Sequence, residues 1–194
     1  KSSSPSEKYL FEQTVCGNGN IRLAAALQTV SATYIIAETD CKSGDVASDK
    51  KTVGIVKTDS LGNIEKSICI QNNRNFSYVA SNITNDGIVI IVADDTKSYL
   101  FVTVTDYNLN ETTTEAVPYA ENAKIFPLND CYLVFLDNGQ ETFVLKSSKD
   151  GFDFSSFSLG EIVDVLNLDE HGAPSAFSGP VVTTMTFSSD SGSI

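Results

Sequence analysis

Acidic residues gather after three apolar runs of the sequence. Asp40, Asp45 and Asp49 follow LAAALQTVSATYIIAET, Asp94 and Asp95 close IVIIVADD, and Asp137 with Asn138 closes YLVFLDN. Hard carboxylate and amide oxygens converging at such positions suit a calcium ion, or else a cationic partner. The competing reading is local, because Asp and Asn accept backbone N–H bonds in turns and keep loops soluble. Glycoside hydrolysis needs only two acids about 5 to 10 Å apart. An acidic chain offers many such pairs, so none is singled out by sequence.

Other chemistry has little to stand on. His171, in DEHGAPS, is the only histidine and therefore the only side chain that ordinarily shuttles protons near neutral pH. Neither G-x-S-x-G nor H-E-x-x-H occurs, which removes the usual serine-hydrolase and zinc-protease signatures. GNGN at 17–20 joins two strand-like segments instead of opening a helix, so it reads as a turn and not as a phosphate cradle. DYNLNE at 106–111 starts like a calcium loop, but Glu111 stands where glycine is needed and no Glu occupies the twelfth position. Cys16, Cys41, Cys69 and Cys131 lack C-x-x-C spacing and have one histidine between them, which disfavours zinc. They are read as buried thiols or as one or two disulfides. Three Asn-x-Ser/Thr sequons stand at Asn75, Asn82 and Asn110.

The totals exclude whole classes of partner. In 194 residues, 13 Lys and Arg face 25 Asp and Glu, a formal net charge of -12. Such a field repels nucleic-acid phosphates and anionic lipid surfaces. No apolar run approaches the roughly 20 residues that span a bilayer as a helix. The opening KSSSPSEK reads as a flexible tether over residues 1–8. With it goes the expectation of a secreted, periplasmic or outer-surface protein carrying a lipid anchor upstream of residue 1.

The elements that must position those acids form a repeat. IVKTDSLGNIEKS (55–67), VTVTDYNLNETTT (102–114), VLKSSKDGFDFSS (144–156) and TFSSDSGSI (186–194) each read as apolar strand, polar turn, second strand. Their anchors Gly62, Leu109, Gly151 and Gly192 stand 47, 42 and 41 residues apart in turn, a period of solenoid or propeller size. Upstream of the first three turns, residues 23–40, 78–95 and 123–138 each read as a further hairpin, turning at Val30-Ser31-Ala32, Asn85-Asp86-Gly87 and Asn129-Asp130. Two hairpins per unit make four antiparallel strands, the second apolar enough to be covered on both faces. In TDSLGN, Asp59 accepts across the turn and Gly62 supplies a positive φ; in TDYNLN, Leu109 replaces the glycine between Asn108 and Asn110, the next-best left-handed residue type.

Gln28, Thr29, Tyr34, Ile35, Ile36, Ala37, Lys57, Thr58, Asp59, Gly62 and Asn63 stand in register with a known blade pattern. Through them, about 60 residues of the first unit resemble the secreted bacterial β-propeller repeat whose blades run "QT.DGGYIIAG…LIKTD..GN..W". Ser31-Ala32-Thr33 replaces the DGG turn here, and the tryptophan near Glu65 is missing.

The expected fold is all-β: a propeller-like array of about four four-stranded antiparallel blades over residues 9–194. Its units are 17–70, 71–118, 119–160 and 161–194, with 9–16 as a closing strand. A sandwich or barrel is the alternative. In the array, the loops after each second strand bring Asp40, Asp45, Asp49, Asp94, Asp95 and Asp137 to one face. The expected function is a non-enzymatic extracellular or cell-surface binding or scaffold module for a glycan, peptide or protein. Its rivals are a polysaccharide hydrolase or lyase using those acids, and a structural subunit that pairs as a homodimer.

Overall fold

The computed structural model describes residues 14–16, 20–40, 50–71, 74–110, 112–140, 142–148, 151–153, 181–184 and 188–190. These residues are all-β and contain no helix, hence none long and apolar enough to cross a membrane. The strands are β1 (Thr14–Cys16), β2 (Ile21–Gln28), β3 (Ala32–Thr39), β4 (Thr52–Asp59), β5 (Ile64–Gln71), β6 (Phe76–Thr84), β7 (Gly87–Asp94) and β8 (Tyr99–Thr105). They continue with β9 (Thr112–Pro118), β10 (Asn122–Pro127), β11 (Tyr132–Asp137), β12 (Thr142–Ser148), β13 (Gly151–Asp153), β14 (Val181–Thr184) and β15 (Ser188–Asp190).

Successive strands pair as antiparallel meanders. Sheet 1 runs β14-β5-β4-β3-β2, sheet 2 runs β6-β7-β8-β9, and sheet 3 runs β10-β11-β12-β13. Sheets 2 and 3 have the four strands expected of a unit. Sheet 1 has a fifth, because Val181–Thr184 lies antiparallel along Ile68–Gln71 at its outer edge. Those four residues, expected in a separate fourth unit, cover an open strand edge of the first sheet instead. The short pair β1-β15 joins 14–16 to 188–190. The remainder of the 161–194 unit, with His171, lies outside the described residues.

The three large sheets stack in chain order, and the central place of β7 explains why its sequence is rich in β-branched residues. Ile88, Ile90 and Val92 point into a cluster with Tyr34, Ile36, Val53, Ile55, Ile68 and Ile70 of sheet 1. Val89, Ile91 and Ala93 point the other way, against Ile125, Val134, Leu136 and Leu145 of sheet 3. A strand buried on both faces cannot alternate with polar residues, and each buried isoleucine contributes about 1.5–3 kcal/mol. β11 keeps the alternation: Tyr132, Val134 and Leu136 are buried, whereas Leu133, Phe135 and Asp137 are half-exposed.

First strands also meet across sheets. Asn82 of β6 donates its side-chain N–H to the Ile125 carbonyl of β10 at 2.9 Å. β2 and β6 carry a bulge at matching places, Leu23/Ala25 and Tyr78/Ala80, which twists these edge strands.

The turns tie the stack at one end. Asp59 accepts from the N–H groups of Leu61 and Asn63, both at 2.8 Å, while Gly62 takes φ 83°. Asp106 repeats the device with Asn110 N–H at 2.6 Å, and here Leu109 itself takes φ 56°. The flanking asparagines do not adopt the left-handed conformation. Leu109 does, because its side chain is 2% exposed and sits in the cluster between sheets 1 and 2, whose burial offsets the steric cost. The Tyr34 hydroxyl donates to the Tyr107 carbonyl at 2.7 Å, and Tyr107 in turn donates to the Thr84 carbonyl. Asn85 reaches from the tip of the β6-β7 hairpin to the carbonyls of Leu128 and Asn129 in sheet 3.

Candidate functional site

The opposite end of the stack carries the loops between second and third strands. Those loops differ in length: residues 40–51 in sheet 1, 95–98 in sheet 2 and 138–141 in sheet 3. Sheets 1 and 2 meet there, since Lys51 N–H donates to Asn75 Oδ1 at 3.0 Å and Phe76 N–H to the Lys51 carbonyl at 2.9 Å.

One device closes the base of the first hairpin in both sheets. In sheet 1, Asn20 precedes β2 and Asp40 follows β3. Asn20 donates its backbone N–H to Asp40 Oδ1 at 2.5 Å and its side-chain N–H to Oδ2 at 2.8 Å, while Asp40 N–H returns to the Asn20 carbonyl at 3.3 Å. In sheet 2, Asn75 and Asp95 take the same places, with side-chain contact at 2.9 Å and backbone return at 3.0 Å. These amide donors hold both carboxyls below the ordinary aspartate pKa, the asparagine side chain being the largest cause in each. Sheet 3 places Glu121 and Asn138 at the corresponding positions, with acid and amide exchanged.

Asp94 differs from its neighbours. It is the last residue of β7, its side chain is fully buried, and it accepts from Arg74 Nη1 at 2.5 Å and from Thr96 Oγ1 at 2.7 Å. Asp137 ends β11, where Oδ1 accepts from Gly139 N–H at 2.8 Å and shapes the following turn. Asp45 and Asp49 lie outside the described residues. Asp40 therefore closes the first hairpin of sheet 1 and Asp94 and Asp95 lie at that of sheet 2, the two sheets meeting through Lys51, Asn75 and Phe76, while Asp137 belongs to sheet 3. Among the described residues, no three Asp, Glu, His or Cys side chains stand where they could hold one metal ion.

Beside the first clasp lies an open pocket of about 230 Å³, lined by Asn20, Ile21, Arg22, Glu38, Thr39, Asp40 and Lys51. Arg22 is the exposed wall, its side chain 76% accessible, and it pairs with the largely covered Glu38. Both Nε and Nη2 of Arg22 reach Glu38 Oε2, at 3.0 and 2.5 Å. Glu38 Oε1 accepts from Tyr78 N–H of sheet 2 at 2.9 Å, so one carboxylate joins the pocket to the next sheet.

Asn20, Arg22, Glu38 and Lys51 were not among the residues singled out from sequence. A signal for part of the set was present. Asn20 and Asp40 are 20 residues apart, as are Asn75 and Asp95, and the two pairs are offset by 55. The second turns, Asp59 and Asp106, are offset by 47. The longer loop at 40–51 accounts for the eight-residue difference. A search anchored on the turns alone therefore slides past the clasp.

Comparison of the chain with protein-family models, curated proteins and solved structures finds no match.

Proposed function

We propose that the chain is a non-enzymatic binding module on the outside of a cell. In this reading its sheets are the blades of a propeller-like array, and its loop end contacts a glycan, peptide or protein. Support for the radial arrangement comes from the face-to-face stacking of sheets 1, 2 and 3 and from the contact between first strands β6 and β10.

The observation that carries binding over catalysis is the state of the acids. A glycosidase needs one carboxyl with a raised pKa to serve as general acid. Asp40 and Asp95 are shifted the opposite way by asparagine donors. Asp94 is committed to Arg74 and Thr96, and Asp137 to its own turn. Groups held in this manner suit a rigid rim better than the role of general acid.

The test is to offer the full chain a panel of soluble polysaccharides and to measure retention and reducing-end release together. Retention without release supports the module. Release that disappears by orders of magnitude in a pooled Asp40→Asn, Asp94→Asn, Asp95→Asn, Asp137→Asn variant would establish a hydrolase and overturn it.

A further inference from the structure

Within the pocket beside the first clasp, acids and bases are not equally occupied. Both oxygens of Asp40 accept from Asn20. Both oxygens of Glu38 are likewise engaged, one by Tyr78 N–H and one by Arg22. The cations are not used up. Arg22 commits Nε and Nη2 to Glu38, which leaves the Nη1 donors of a guanidinium standing in solvent. Lys51 uses its backbone N–H and carbonyl to bind sheet 2, while its ammonium has no hydrogen-bond partner among the described residues.

A ligand entering this pocket finds open donors on Arg22 and Lys51, while each oxygen of Asp40 and Glu38 already accepts at least one hydrogen bond. These donors suit a ligand that brings acceptors, and a carboxylate, planar and bidentate, matches the guanidinium fork and also takes a charge-assisted bond from an ammonium. Resting on the binding-module reading, we propose that this pocket is a subsite for the carboxylate of a small ligand, held between Arg22 and Lys51. Glu38 and Asp40 act as positioning residues: Glu38 orients the guanidinium, and Asp40 fixes the pocket wall through Asn20. The chain's net charge of -12 opposes approach of any anion from a distance. Binding is accordingly expected to be weak, and salt screens both that long-range field and the exposed ion pairs with the ligand.

The experiment is a heteronuclear NMR titration of the full chain with methyl glucuronide, its neutral twin methyl glucoside, and N-acetylglutamate. Shifts at Arg22, Lys51 and their neighbours with both carboxylates, and none with the glucoside, are expected. Shifts with only one carboxylate assign the source as sugar acid or amino acid. An Arg22→Gln, Lys51→Gln double variant, whose unchanged melting temperature shows that it folds, loses affinity by about tenfold or more. Equal binding of the glucoside, or unchanged affinity in the double variant, overturns the carboxylate subsite and leaves the binding module standing. Consumption of the glucuronide during titration would do the reverse. No response to either carboxylate at tens of millimolar overturns the subsite.

Discussion

The Asn–Asp clasp occurs twice, and its two copies sit in different company. At Asn75–Asp95 it lies one residue beyond a buried ion pair, Arg74–Asp94, on a loop of four residues. At Asn20–Asp40 the position matching Asp94 is Thr39, a buried hydroxyl with no charge, and the loop has twelve residues. The same local geometry thus lies beside a buried carboxylate in one place and forms the wall of an open pocket in the other. What surrounds a motif, more than the motif, sets whether it borders buried charge or open space.

Removing the ion pair breaks this contrast most severely. Arg74→Ala leaves the fully buried Asp94 carboxylate with Thr96 as its one remaining named side-chain partner. A loss of about 3 kcal/mol is expected, the lower end for a broken buried pair because Arg74 is itself 31% exposed. Chemical denaturation at neutral pH measures it, and a loss below about 1 kcal/mol would show that Asp94 is not held as a desolvated charge.

The next largest effect compares the asparagines. Asn75→Ala removes two side-chain bonds, to Asp95 and from Lys51 N–H, whereas Asn20→Ala removes one and keeps its backbone donation to Asp40. Asn75→Ala is expected to be the more destabilising by about 1 kcal/mol. Equal melting temperatures for the two variants would erase the distinction between the corners.

Acid sharpens what the clasps share. Asp40 and Asp95 have folded pKa values below their unfolded ones, so their contribution is complete above the unfolded value of about 3.9 and is lost as pH falls through the folded one. Stability measured from pH 5 down to pH 2 should therefore fall less steeply in an Asp40→Asn, Asp95→Asn variant than in the parent. Parallel curves would mean that the clasps do not retain their charge preference in solution.

The smallest effect is at the pocket wall. Arg22→Ala removes an exposed partner from Glu38, and stability should change by no more than about 0.5 kcal/mol. A larger loss would make Arg22 part of the joint and not of a binding surface.

Much of this was legible in sequence because it depends on backbone period and turn chemistry. The apolar run 88–93 required burial on both faces, and TDSLGN required a positive φ at Gly62. Leu109 takes its left-handed conformation for a reason that local rules cannot contain, because burial against another sheet maintains it. The sequence places all six aspartates in loops, whereas Asp94 and Asp137 end the strands β7 and β11, and it does not show which partners the aspartates take. Asn20 and Asp40 are separated by a whole hairpin, and Glu38 meets Tyr78 forty residues away.

By itself, then, the sequence determined the all-β class, the hairpins and their turns, and the concentration of acids after the second strands, since these follow from residues adjacent or alternating along the chain. Tertiary structure alone decided that Val181–Thr184 extends sheet 1, that Asp94 is buried against Arg74, and that Arg22 and Lys51 share a pocket. Those outcomes turn on which surfaces meet. Burial, and the desolvation that makes a charge costly or a donor available, exists only once the sheets have stacked.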